Sequence, residues 1–224
     1  MYNYRILFGM LFCILSGCTT LQNPSKYEMA DGAYFLKVQG GKSRVYIENE
    51  ADSILVYDWA TKKAMETTPF YAKGKPLQVM KPSFDLDVVT TVFKIRPAQP
   101  GFNAQMNTNF NGSLYLGFRQ DYYRLHRELI PIKGFKTLVN HIGVGFGLFA
   151  GLGSTAVTPS VTNNYISVEY DGIVGQYGIA SIFAINKLTL GIGIGLDHLL
   201  SNDRAWWIYN QKIWYGLTIG LNVN

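Results

Sequence analysis

Along residues 188–199 bulky and small residues alternate strictly. Leu188, Leu190, Ile192, Ile194 and Leu196 share one parity; Thr189, Gly191, Gly193, Gly195 and Asp197 share the other. A strand turns successive side chains to opposite faces, so this pattern predicts a β-strand with one apolar face and one small or polar face. Two further stretches repeat it. Ile142, Val144, Phe146, Leu148, Ala150 and Leu152 stand against a glycine-rich face, and Ile213, Tyr215, Leu217, Ile219 and Leu221 against Trp214, Gly216, Thr218, Gly220 and Asn222. The glycines do not form a nucleotide loop: that fingerprint is G-x-G-x-x-G between a strand and a helix, whereas these recur at every second position and no amphipathic helix follows.

The same reading gives strands at 33–39, 43–49 and 53–59, the first two joined by a Gly-Gly-Lys hairpin signal. Residues 60–84 hold Pro69, Pro76, Pro82 and Gly74 and read as an irregular connector. From Asp85 onward seven strands are expected, at 85–96, 112–127, 137–153, 164–170, 173–185, 188–200 and 212–223. Asp171-Gly172 and Asn186-Lys187 read as tight turns, and residues 130–134 turn the chain. If Cys18 and the C-terminus are both periplasmic, an even-numbered ring needs an eighth strand, which residues 31–82 would supply; the other solution puts the N-terminal region on the cell surface.

Which face points inward decides the class. A water-soluble barrel would fill its interior with the leucines and isoleucines and carry charge outside. Here the second faces carry glycine, threonine and asparagine instead. That favours the opposite arrangement, with apolar side chains facing lipid and small or polar ones filling a narrow lumen. The expected fold is therefore all-β: a small antiparallel outer-membrane-type β-barrel of about eight strands over 85–224, preceded by a small β-rich region over 33–84. A soluble lipocalin-like barrel carrying a hydrophobic ligand is the alternative, and a lipid-modifying outer-membrane enzyme is a second.

The N-terminus supports export. Arg5 precedes a short apolar run, Ile6–Leu15, and then Ser16, Gly17 and Cys18. An aliphatic residue, two small residues and a cysteine resemble the bacterial lipobox. The resemblance implies that residues 1–17 are a signal peptide, that Cys18 becomes the acylated N-terminus, and that 18–32 is a tether. Cys13 leaves with the signal, so no disulfide is expected. Losing Arg5 lowers the formal charge from +5 to +4, mildly basic and too diffuse for nucleic acid. Charged residues are only 16% of the chain, against about 25% in average soluble domains.

The stretches "NFNGSLYLGFR", "VTNNYISVEYDG" and "GLDHLL" resemble a family of outer-membrane lipoproteins of Bacteroidetes-type bacteria, from about Lys81 to the end. The resemblance implies a lipid-anchored place in the bacterial outer membrane and implies no activity.

Candidate chemistry is sparse. His126, His141 and His198 have no metal-ligand spacing, and no nucleophile motif is present; no cofactor is expected. Strand parity puts Asp197 and Glu169 toward the lumen and His198 with the leucines. Arg119 and Lys212 are candidate partners, giving an expected lumen network of Arg119, Glu169, Asp197 and Lys212. Ser201, three residues after His198, is the one rim serine that could serve an enzyme. Arg124, Arg127, Lys133 and Lys136 surround one turn, which parity puts at the end opposite the C-terminus, where they would meet lipopolysaccharide phosphates. Trp206, Trp207, Tyr209, Trp214 and Tyr215 read as an interfacial belt at that same end. The expected role is structural or interactive in the cell envelope, with outer-membrane lipid and other envelope proteins as partners.

Overall fold

The computed structural model describes residues 29–38, 40–50, 53–65, 76–130, 134–185 and 188–221. The expected signal peptide, Cys18 and the first part of the expected tether lie outside these residues, as do residues 131–133 and 186–187, where turns are expected. The described chain is all-β. Ten antiparallel strands run β1 (Gly32–Val38), β2 (Gly41–Glu50), β3 (Ser53–Asp58), β4 (Leu77–Arg96), β5 (Gln105–Asn107), β6 (Asn111–Ile130), β7 (Gly134–Val157), β8 (Tyr170–Ile185), β9 (Leu188–Leu199) and β10 (Ile213–Leu221).

Six of these strands close a ring in the order β4, β6, β7, β8, β9 and β10, with β10 pairing back onto β4. The ring thus has six strands rather than about eight. Two physical reasons account for the difference. Residues 164–169 form no strand, because a 3₁₀ turn at Ser160–Thr162 with Asn163 and Asn164 at positive φ breaks the extended run. Asp171 and Gly172 do not turn the chain either. They sit inside β8 opposite Ala156 and Thr155. One expected crossing is therefore lost, and the expected turn at Asp171-Gly172 becomes the start of β8.

The register is strongly staggered. Val89 pairs with Ser113, Ser113 with Gly151, Gly151 with Gln176 and Gln176 with Asp197; Ile194, three residues earlier on β9, pairs with Tyr215, which already returns to β4 as far along as Ile95. Such a stagger tilts the strands and widens a ring of few strands. β4 pairs with β6 throughout, but its other side has no pairing between Met80, the last residue beside β1, and Val88, the first beside β10. Pro82 falls in that gap, a place where a strand tolerates a residue without an N–H. This is why β4 begins at Leu77 inside what the sequence marks as connector.

The ring has two distinct ends. At the near end lie Leu221 at the end of β10, the β6–β7 and β8–β9 connections, and the N-terminal sheet, since β1 pairs with β4 at Phe35–Met80 and Leu36–Val79. At the far end lie the longer connections 97–110, 158–169 and 200–212. The N-terminal sheet covers a core of its own with Met29, Tyr34, Leu36, Val45, Ile47, Val56, Leu77, Val79, Tyr123, Leu125 and Val139. Met29 is fully buried there, and Asp31 accepts a hydrogen bond from the Asn49 N–H at 2.7 Å. The last residues of the expected tether are therefore part of the fold.

Around the ring, polarity is reversed relative to a soluble barrel. Leu86, Val88, Leu114, Leu116, Phe118, Val144, Phe146, Leu148, Ile179, Phe183, Ile192 and Ile219 all lie on the exposed outer wall, with Phe118 77% exposed. Asp85, Asp87, Lys94, Arg96, Arg119, Asp121, His141, Gln176 and Asp197 are buried within. No described helix is long and apolar enough to cross a membrane.

The glycine rows explain how a narrow ring holds large side chains. Trp214 and Phe149 meet in the lumen with ring centroids 5.6 Å apart. A methyl group on Gly195 would lie 2.5 Å from Trp214 Cζ2 and 2.9 Å from Phe149 Cζ, closer than packed atoms come. The missing side chain at Gly195 is the space these rings occupy.

Candidate functional site: two buried charge clusters in the lumen

The far cluster centres on Asp197, near the end of β9. Lys94 Nζ lies 2.7 Å from its Oδ1, and Arg96 Nη2 lies 2.8 Å from its Oδ2. Arg96 also donates through Nη1 to Thr155 Oγ1 at 3.1 Å, and Asn107 donates to the same oxygen at 3.2 Å. One carboxylate thus binds two cations with all three side chains withdrawn from water.

The connection from β9 to β10 folds over this cluster. Trp207 and Tyr209 flank the Arg96 guanidinium, with ring centroids 5.1 and 5.2 Å away, and Lys94 Nζ sits 4.5 Å from the Trp214 ring. These distances are within reach of cation–π attraction. Trp207 and Tyr209 are therefore buried caps of the lumen mouth, and Trp214, on β10, is buried within the lumen. Trp206 and Tyr215 are exposed, and Trp206 stacks on Tyr165 at 4.4 Å.

A local irregularity brings Lys94 and Arg96 inside. In β4 the inward parity runs through Asp85, Asp87, Val89 and Thr91. The pairing with β10 then slips at Leu217/Thr218, so that Lys94 and Arg96 turn inward and Ile95 turns out. Strict alternation would have put both cations on the outer wall, which is why the sequence pattern did not identify them. The signal for finding them was a run that breaks its own apolar-out pattern, F-K-I-R, beside a known strand end.

The near cluster is built on Asp121. Arg119 Nε lies 3.0 Å and His141 Nε2 2.6 Å from Asp121 Oδ1, and Ser83 donates to Oδ2 at 3.1 Å. Arg119 Nη1 reaches Asp85 at 3.4 Å, and Asp87 is buried on the same side of β4. His141 stacks on Tyr123, with ring centroids 4.7 Å apart. The near cluster carries more carboxylates than cations; the far one carries more cations than carboxylates. Between them lie Tyr115, Phe149, Ala180, Ile182 and Trp214.

Of the four residues expected to form one network, the structure brings none together. Arg119 and Asp197 are buried in separate clusters. Glu169 is exposed on the 158–169 connection, because no strand runs there to turn it inward, and Lys212 is exposed just before β10. The basic turn also moves. With one crossing fewer than the pattern suggested, the β6–β7 connection lies at the same end as the C-terminus, and the Trp206–Tyr215 group at the opposite end. Arg124 and Arg127 are exposed on β6. Lys133 lies outside the described residues, and Lys136 is placed only by its pairing with Glu128.

Two arrangements contain the residue types of a hydrolase without its geometry. Ser83 and His141 both bond Asp121, so the serine faces the carboxylate rather than the imidazole. At the far rim, Ser201 shares a 2.7 Å hydrogen bond with the Tyr170 hydroxyl, while His198 Nδ1 lies 2.9 Å from Gln211. A serine nucleophile needs a base within hydrogen-bond reach. Among the described residues, no group of three or more His, Cys, Asp or Glu side chains is arranged to hold a metal ion.

These features define a six-stranded antiparallel β-barrel with a charged, aromatic-capped lumen and an apolar exterior. No protein-family model, curated protein or solved structure matches the chain.

Proposed function

We propose that this chain is an outer-membrane β-barrel protein, additionally anchored by a lipid on Cys18, with a structural or interaction role in the bacterial cell envelope and no catalysis of its own. The observation that carries the reading is the reversed polarity of the ring. A contiguous apolar wall of this extent in water is a strong liability, whereas in hydrocarbon it is the stable arrangement. Closing β10 onto β4 pairs the edge of β4 from Val88 to Ile95, the kind of internal satisfaction that a bilayer demands. The strands β9 and β10, of 12 and 9 residues, match the length that a tilted crossing needs.

Loop lengths support an orientation. Barrels of this kind have short periplasmic turns and longer external loops. The near end, with its short connections at 131–133 and 186–187, then faces the periplasm, and the far end with the aromatic cap faces outward. The N-terminal sheet falls on the periplasmic side, where a lipid on Cys18 would insert in the inner leaflet. Six strands are fewer than the eight usual in the smallest barrels of this class; the steep stagger offsets this by widening the ring. The charge clusters act as internal staples. With the wall apolar outside and Trp214, Phe149 and Tyr115 filling the lumen, a soluble carrier with an internal ligand site has less support.

The test is a Cys18→Ala variant exported by a separate cleavable signal peptide. It should stay with outer membranes after carbonate washing and shift its gel mobility on boiling. Release into the soluble fraction would overturn the proposal.

A further inference from the structure

At the near edge of the apolar wall the outer surface holds a groove of about 490 Å³ across β4, β6, β7 and β8. Its side chains are neighbours in the register: Gln78 pairs with Arg124, Arg124 with Asn140, Tyr122 with Ile142, and Ile142 with Ile185. The groove therefore has two halves. Gln78, Arg124, His126 and Asn140 form a polar half toward the near end. Ile142, Val144 and Ile185 form an apolar half continuous with the wall. Arg124 is exposed and has no ion-pair partner among the described residues.

From this we infer a binding site for one glycerophospholipid of the periplasmic leaflet, its phosphodiester on Arg124 and its acyl chain along Ile142, Val144 and Ile185. An unpaired guanidinium matches a phosphate in charge and in donor geometry. Amide and imidazole groups beside it supply further hydrogen-bond donors. The apolar half begins at the level where a headgroup ends and hydrocarbon starts. Lipopolysaccharide would require the same residues at the opposite end of the ring, beside the long connections. The site rests on the membrane reading proposed above, because only that reading puts this level at a leaflet boundary.

The experiment uses the full chain reconstituted with phosphatidylglycerol and phosphatidylethanolamine, then extracted into detergent and weighed intact by native mass spectrometry. Wild type should retain one phospholipid. Arg124→Gln should lower its apparent affinity about tenfold, the size of one charge-assisted contact. Lys212→Gln removes an exposed cation at the far end and should leave retention unchanged. Equal retention by Arg124→Gln, equal loss in Lys212→Gln, or preferential retention of added lipopolysaccharide would each overturn the inference while the barrel still floats with vesicles and shifts on boiling. A wild-type chain that never enters the vesicles would overturn the membrane reading instead, and this site with it.

Discussion

The two halves of β4, β6 and β7 carry opposite polarity on the same faces. Toward the near end their inward side chains are Leu77, Val79, Leu125 and Val139, packed on the N-terminal sheet, and their outward ones include Gln78, Arg124 and Asn140. Within the ring the inward residues become Asp85, Asp87, Arg119 and Asp121, and the outward ones Phe84, Leu86, Leu116 and Phe118. No side chain changes parity at the switch; only the chemistry on each parity does. One continuous strand thus reads as part of a soluble sheet for a few residues and as a barrel stave for the rest. On the membrane reading proposed above, the switch, near Tyr122 and Ile142, marks the boundary between water-facing and lipid-facing surface.

Uncoupling the lumen charges should have the largest effect. Asp197→Ala leaves Lys94 and Arg96 buried without their carboxylate, and should cost about 3–5 kcal/mol, read as urea unfolding in lipid vesicles. A loss under about 1 kcal/mol would mean that the lumen is wet enough to solvate both cations.

A charge on the outer wall sharpens the contrast between halves. Leu148→Arg in the ring should cost about 2–4 kcal/mol if the wall faces hydrocarbon. Glu128→Arg, exposed on the near part of β6, should change stability by no more than about 0.5 kcal/mol. Equal costs at the two positions would remove the distinction.

Gly195→Ala places a methyl group against Trp214 and Phe149 and should cost about 1–3 kcal/mol by overpacking. Gly193→Ala is its control: two residues along the same face, its added carbon would meet its nearest neighbour, Phe149 Cε1, at an ordinary 3.5 Å. Near-native behaviour of Gly193→Ala with a destabilised Gly195→Ala would show that the glycine rows serve ring packing position by position.

The smallest effect lies in the N-terminal sheet. Asp58 ends β3, and hydrogen bonds from the Thr61 N–H, the Thr61 hydroxyl and the Ala60 N–H, with nearby Lys62, hold its carboxyl below the usual carboxylate range. A depressed pKa contributes stability that is present above the unfolded value and lost as pH falls through the folded one. The turn should therefore loosen only in acid, seen as a shift of the Thr61 amide resonance below the normal carboxylate range, and Asp58→Asn should flatten that titration.

Much of this was legible in the sequence, for a physical reason. Alternation with period two survives translation into a sheet, so the apolar-out, glycine-in assignment of β7, β9 and β10 follows from Leu148, Ile192 and Ile219 alone. The strand count was less legible. A Thr/Ser/Asn segment such as 158–169 has strand-like residues, Ile166 and Val168, and the one local signal against a strand is the Asn163-Asn164 pair, which tolerates the positive φ it adopts. The charge pairing was not legible because it depends on a register slip between β4 and β10, strands separated by most of the ring in sequence. Asp197 could be placed inside by parity; Lys94 and Arg96 could not.

The most direct measurement is the depth of the outer wall. Single cysteines at Leu148, Ile192 and Tyr46 in a Cys18→Ala background would carry an environment-sensitive fluorophore, quenched in turn by nitroxide-labelled acyl chains and by aqueous iodide. The account predicts strong acyl-chain quenching and little iodide quenching at 148 and 192, and the reverse at 46 on the N-terminal sheet. Iodide quenching at all three positions would contradict it, leaving a water-facing apolar wall that awaits another protein.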